Sequence, residues 1–153
     1  MVSTENHQRR GYDLERLLAD LFRVFEMDYR PSYRMAHEQV DGALDYKSFT
    51  YLVEALWRAT CPTGGDLADF KMKVDSKLES TWGVFVSMVE FNEAVLAYFM
   101  GTARGTRNNL LLVDGQDVAL VCQGHLSLQD ALDYKIQAAS QEGRWWAPLA
   151  ARS

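Results

Sequence analysis

The sequence predicts an α/β fold with a mixed central β-sheet between helices, and three observations lead there. Helical and strand periodicities succeed one another in the order helix, three strands, helix, strand, helix, strand, helix. The run Asn-Leu-Leu-Leu-Val at 109–113 is a short continuous apolar strand, the kind found where helices cover both faces of a sheet. With 153 residues, 48% of them hydrophobic and 24% charged, the chain can bury one sizeable core.

Composition narrows the functional classes. No run approaches the ~18 apolar residues of a membrane span, and the first ten residues lack the apolar stretch of a secretory signal. Cys61 and Cys122 form no CxxC pair, and His7, His37 and His125 show no ligand spacing, so neither a disulfide framework nor a zinc site is expected. The default location is therefore intracellular, reducing and cytoplasmic. A net charge of −5 argues against tight autonomous DNA binding but permits a local basic patch. Residues 1–10 are expected to be frayed, 11–142 to form one domain and 143–153 a tail.

The first helix is expected over 12–26, because Leu14, Leu17, Leu18, Leu21, Phe22 and Phe25 make one apolar stripe with Glu15 at its edge. Residues 28–37 are mixed, with Pro31 limiting any strand to an edge and Arg30 and Arg34 as ordinary surface arginines. A β-hairpin follows: one run at 40–46, a polar break at Lys47 and Ser48, then a run of β-branched and aromatic residues at 49–57. Cys-Pro-Thr-Gly-Gly-Asp is a turn, and Asp66 is the expected N-cap of a helix reaching Leu78, with Leu67, Phe70, Val74 and Leu78 inward and Lys71, Lys73 and Lys77 outward. Further on come a strand at 83–88, a helix at 92–102 burying Val95, Leu96 and Phe99, and a basic loop with Arg104 and Arg107. After the strand at 109–113, Asp114-Gly115 is a break and 118–122 a short apolar segment. Ser127 to Asp130 makes a capping box for a last helix to Gln141, and Trp145 and Trp146 are expected to dock on the core.

The hairpin carries the chemistry. Strand alternation puts Thr50, Leu52, Glu54 and Leu56 on one face and Tyr51, Val53, Ala55 and Trp57 on the other. Glu54 is thus an acid in an otherwise apolar strand, and Asp41 lies where the partner strand brings it near. A buried carboxylate costs several kcal/mol unless paired, hydrogen-bonded or metal-bound. Two of them converging suggest a divalent-cation site.

Asp41-Gly42 on one strand, followed by Leu-Val-Glu-Ala-Leu-Trp at 52–57 on the next, resembles the catalytic hairpin of the PD-(D/E)XK nuclease superfamily, in its Mrr-like restriction endonuclease branch. Gly11 to Glu15 is similar to the family's Gly-x-x-x-Glu first helix, and Asp66-x-x-x-Phe70-x-x-Lys73 with the strand at 83–88 and Phe91 extends the likeness over roughly 11–141. The resemblance implies a three-layer restriction-endonuclease-like fold with an αβββαβ core. It also implies Mg²⁺ or Mn²⁺ held by Asp41 and Glu54, with Glu15 and Gln39 as further site residues, and hydrolysis of DNA. Lys71, Lys73, Arg104 and Arg107 become candidate DNA contacts. A homodimer, or a larger nuclease or defence assembly, is the implied partner state, since cutting both strands is easiest with two sites related by a two-fold axis.

The chain departs from the pattern at one place: Leu56 occupies the position of the motif lysine. Losing one preorganised donor costs ~10²–10³ in rate. The substitutes to weigh are Lys47 at the turn, Arg58 at the strand end, and Lys71 or Lys73 on the following helix. The competing reading is a catalytically inactive homologue kept for DNA binding or assembly.

Overall fold

The structure, a computed structural model, describes residues 4–31, 33–35, 38–40 and 42–152, with side chains for 9–31 and 42–152. In chain order the elements are α1 (Thr4–Val24), β1 (Asp28–Arg30), β2 (Tyr33–Met35), β3 (Glu38–Val40), β4 (Gly42–Tyr46), β5 (Phe49–Leu56), α2 (Gly64–Asp75), β6 (Trp82–Ser87), α3 (Glu93–Thr102), β7 (Leu110–Asp114), α4 (Gly115–Cys122) and α5 (Leu128–Glu142), before a 3₁₀ turn at Leu149–Ala151. The main sheet has the order β1-β4-β5-β6-β7. β1, β4 and β5 pair antiparallel, while β5, β6 and β7 pair parallel. The expected α/β architecture and αβββαβ order are therefore present, with the β2–β3 ribbon as an addition.

Alternation along the strands divides the core between two layers. Tyr51 and Val53 of β5, with Val84 and Val86 of β6, pack under Leu14, Leu18 and Phe22 of α1 and Leu132 and Ala139 of α5. Phe85 of β6 and Leu110 and Leu112 of β7 meet Leu67, Phe70 and Val74 of α2 and Leu96 and Phe99 of α3. α2 lies so close to the sheet that a Cβ on Gly83 would sit 2.7 Å from both Phe70 and Val74. The β4–β5 connection is a two-residue loop in which Lys47 and Ser48 have φ of 49° and 70°. Primed turns need this left-handed backbone because their twist matches that of the strands.

Several boundaries differ from the sequence expectation. The segment at 4–10, expected to be frayed, belongs to α1. The run at 40–46 is not one strand: Val40 pairs with Tyr33 in the separate ribbon, and the main-sheet strand starts at Gly42. Thr63, not Asp66, caps α2; Asp66 is the third helical residue, its carboxylate accepting from the Thr63 N–H while its own N–H donates to the Thr63 hydroxyl. α2 stops at Asp75, so Leu78, expected inward, is 78% exposed. The apolar segment at 118–122 is the second half of α4, begun by an Asp114–Asp117 capping box.

The end of the chain is tied into both layers. Trp145 packs against Phe99 and Trp146 against Phe91, as docking predicts. Between them and α4 lies a buried ion pair: Lys135 Nζ is 2.9 Å from Asp117 Oδ2, with the two side chains 3% and 2% exposed. Lys135 also donates to the Ala147 carbonyl at 2.8 Å, and Asp117 accepts from the Leu149 N–H at 2.9 Å.

Candidate active site

β5 is the middle strand, with an antiparallel neighbour on one side and a parallel one on the other. Glu54 lies in its second half, in the same row as Phe85 of β6 and Leu112 of β7. Its neighbours on that face, Leu52 and Leu56, pack against the α2–α3 core, so the carboxylate is directed to the α2 side. There it meets Lys73, whose Nζ is 3.4 Å from Glu54 Oε1, the side chains being 42% and 29% exposed.

A second ion pair runs alongside the first. Arg58, two residues beyond the end of β5, donates to the carboxylate of Asp66. Asp66 and Lys73 are seven residues apart on α2, two helical turns, and therefore share one side of the helix. α2 runs back along β5 with its cap end at Arg58 and its later turn at Glu54. Burial pushes the Asp66 carboxyl up, but the Thr63 N–H and the Arg58 guanidinium outweigh it and hold the group below its ordinary range.

The inner side of α2 is fixed differently. Lys71 is 7% exposed, and its ammonium serves Asp75, the Arg107 carbonyl and the Asn109 side chain, with the Trp145 ring 5.3 Å away. Lys71 therefore does not face outward, as the sequence suggested, and is corrected from DNA contact to internal brace. A lysine tolerates such burial only when its donors are satisfied, which these are.

The remaining expected residues are dispersed. Asp41 and the side chain of Gln39 lie outside the described residues, as do the side chain of Arg34 and residue His37. Glu15 is half-buried on α1, the helix on the opposite face of the sheet from α2. Arg107 donates to the Glu79 carbonyl and lies 3.9 Å from Asp75, and Arg104 is exposed in the same loop before β7. Lys47 pairs with Asp133 of α5 at 2.8 Å, at the turn end of β5. Arg58 is engaged by Asp66. Of the four substitutes weighed for the missing strand lysine, Lys73 is the one that touches Glu54.

Sequence reasoning did not single out Asp75, which binds Lys71, Asn109 Nδ2 at 2.7 Å and Arg107. Nor did it find Lys135, although a cation between Ala131, Leu132, Ala138 and Ala139 on one helical stripe was a readable signal.

For a cation the donor chemistry decides. Among the described residues no group of three His, Cys, Asp or Glu side chains is placed to hold a metal. Glu54 supplies one hard carboxylate, and Mg²⁺ is commonly held by one or two carboxylates, with waters and substrate phosphates completing its shell. That donor is of the class Mg²⁺ and Mn²⁺ take, whereas zinc and copper sites are built mainly from nitrogen and sulfur ligands.

No family model matches the chain, and no curated protein matches it. Among solved structures it is similar to the MspJI restriction endonuclease in complex with a 27-mer oligonucleotide, with a TM-score of 0.48 and 16% identity, over 92% of this chain and 33% of that one. The chain thus spans about a third of that protein's length. Among the described residues no helix is long and apolar enough to cross a membrane.

Proposed function

We propose that this chain is an endonuclease-type domain of the Mrr-like PD-(D/E)XK class, acting on DNA by metal-dependent phosphodiester hydrolysis. One observation carries the reading: a half-buried glutamate on the middle strand of an αβββαβ sheet, facing a lysine from the next helix at 3.4 Å. A carboxylate and an ammonium side by side match a reaction that needs both a cation holder and a positive charge near a phosphate. Gly42, which follows Asp41 in the chain, is paired with Val53, which precedes Glu54. Asp41 and Glu54 are the proposed holders of Mg²⁺ or Mn²⁺, with Gln39 as a supporting group, while Glu15, on α1 across the sheet from the Glu54 carboxylate, takes no part.

When bound, the cation supplies Lewis acidity toward the phosphate and lowers the pKa of water. The protein's part is positional. Glu54 offers an oxygen ligand on a strand paired on both sides, with the apolar, partly buried Leu52 and Leu56 flanking it on the same face. In the overall step a water oxygen bonds to phosphorus, one P–O ester bond breaks, and its electron pair stays on the leaving oxygen, which takes a proton. Arg104, exposed, is a candidate contact to the flexible DNA backbone. A homodimer or larger defence assembly belongs to the same proposal.

A second reading rests on Leu56, which packs into the apolar α2–α3 layer where the motif lysine would stand. It makes the chain an inactive homologue that binds DNA or a partner protein. Supercoiled plasmid incubated with Mg²⁺ or Mn²⁺ separates the two. The first expects nicking or linearisation by the natural chain and none by Glu54→Gln or Asp41→Ala. Failure of the natural chain to cut while it still retards DNA in a gel selects the second.

A further inference from the structure

We infer that the positive charge absent from strand position 56 is delivered from α2 by Lys73, making Lys73 a catalytic residue of the proposed hydrolysis. The inference rests on that proposed function and adds which group serves the phosphate. Three observations support it.

Lys73 Nζ reaches Glu54 Oε1 at 3.4 Å, from the helix and not from the strand. Its approach is set by the fold. Lys71 is anchored on the inner side of α2 by Asp75, Asn109 and the Arg107 carbonyl, and Asp66 is paired with Arg58 two turns earlier. With those two points held, the helix cannot rotate or slide without breaking buried or capped contacts, so Lys73 faces β5. Finally, its side chain is 42% exposed, so the ammonium can reach a phosphate arriving from solvent while its stem stays beside the carboxylate. The other candidate cations are committed elsewhere: Arg58 to Asp66, Lys47 to Asp133, and Lys71 inside the core.

The pairing also bears on metal binding. An ammonium at 3.4 Å from a carboxylate oxygen competes with a divalent cation for the same negative charge. Lys73 should therefore weaken metal binding in the DNA-free protein while accelerating the step once phosphate is present. A lysine that merely braced the fold would not accelerate that step.

The test compares the natural chain with Lys73→Met, Lys73→Arg, Leu56→Lys, the double variant Leu56→Lys/Lys73→Met, and Glu54→Gln. Plasmid cleavage in Mg²⁺ is followed by rate, and Mn²⁺ binding without DNA by electron paramagnetic resonance. Circular dichroism confirms that each variant is folded. Lys73→Met should lose ~10²–10³-fold in kcat with little change in KM, and Lys73→Arg should retain part of the rate. Leu56→Lys/Lys73→Met should recover most of it, because period-2 geometry puts residue 56 beside Glu54. Lys73→Met should bind Mn²⁺ severalfold more tightly, and Glu54→Gln more weakly. If Lys73→Met cuts like the natural chain while Glu54→Gln is dead, the inference is overturned and the proposed function stands. If cutting appears only with Leu56→Lys, Lys73 does not supply the charge. If no variant cuts, the proposed function falls and takes this inference with it. Mn²⁺ affinity unchanged or weakened in Lys73→Met also overturns it.

Discussion

Replacing Lys135 with methionine removes one member of the most deeply buried ion pair among the described residues. Methionine fills the same channel with nearly the same length, so the change tests charge and not volume. What it leaves behind is the Asp117 carboxylate, 2% exposed, still accepting from the Leu149 N–H at 2.9 Å and from the Asp114 N–H at 3.4 Å. Two amide donors do not neutralise a buried anion. Breaking a buried pair from one side costs about 3–5 kcal/mol. At about 2–4 °C per kcal/mol for a chain of this length, the melting temperature should fall by about 6–20 °C. Burial pulls the Lys135 ammonium below its ordinary pKa, with Asp117 and Asp114 drawing it back up, so the natural pair already bears a desolvation cost. Asp117→Asn/Lys135→Met, which removes both charges, should therefore recover a substantial part of the loss. Thermal and urea unfolding followed by circular dichroism measure all three proteins. A Lys135→Met loss below about 1 kcal/mol, the worth of an exposed pair, would refute the burial on which the reasoning depends.

Three further predictions concern the scaffold of the candidate site. Gly83→Ala should destabilise by about 1–3 kcal/mol in urea unfolding, because its methyl would meet the fully buried Phe70 and Val74. Ser48→Gly should stabilise by about 1 kcal/mol, since Ser48 now bears the left-handed backbone of the hairpin loop; a destabilised variant would contradict that turn. Asp66 has its carboxyl held below the ordinary value of 3.8, so its contribution is full above that pH and is lost as pH falls through the lower folded value. The stability gap between the natural chain and Asp66→Asn should accordingly narrow from pH 7 toward pH 3 and below; a gap that widens there would count against the Arg58–Asp66 and Thr63 contacts.

Period-2 alternation in β5 was readable because each face of that strand packs on a different helical layer, so Leu52, Glu54 and Leu56 could be assigned to one side from the sequence. α1 was equally plain from its leucine stripe, although its first two turns were not, since Thr4 to Arg10 carries no apolar repeat. The break between Val40 and Gly42 was hidden because a strand that changes partner leaves no mark in local propensity. At α2 an aspartate three residues after a threonine satisfies the cap motif in either register, and the structure uses Thr63. The Glu54–Lys73 contact spans nineteen residues and depends on how α2 lies against β5, which spacing along the chain does not encode. Lys135 was overlooked because its partner, Asp117, lies on another helix.

Gly143, left-handed at φ 67° after α5, marks what would pass for a natural place to shorten the protein. The last few residues make that a poor choice. Trp145 is the ring over Lys71, Ala147 supplies the carbonyl that Lys135 needs, and Leu149 supplies an amide to Asp117. Trimming at Gly143 would strip partners from two interior lysines at once, one of them on the very helix that presents Lys73. An expression strategy that discards those few residues to obtain a minimal domain would be cutting into the foundation and not the eaves.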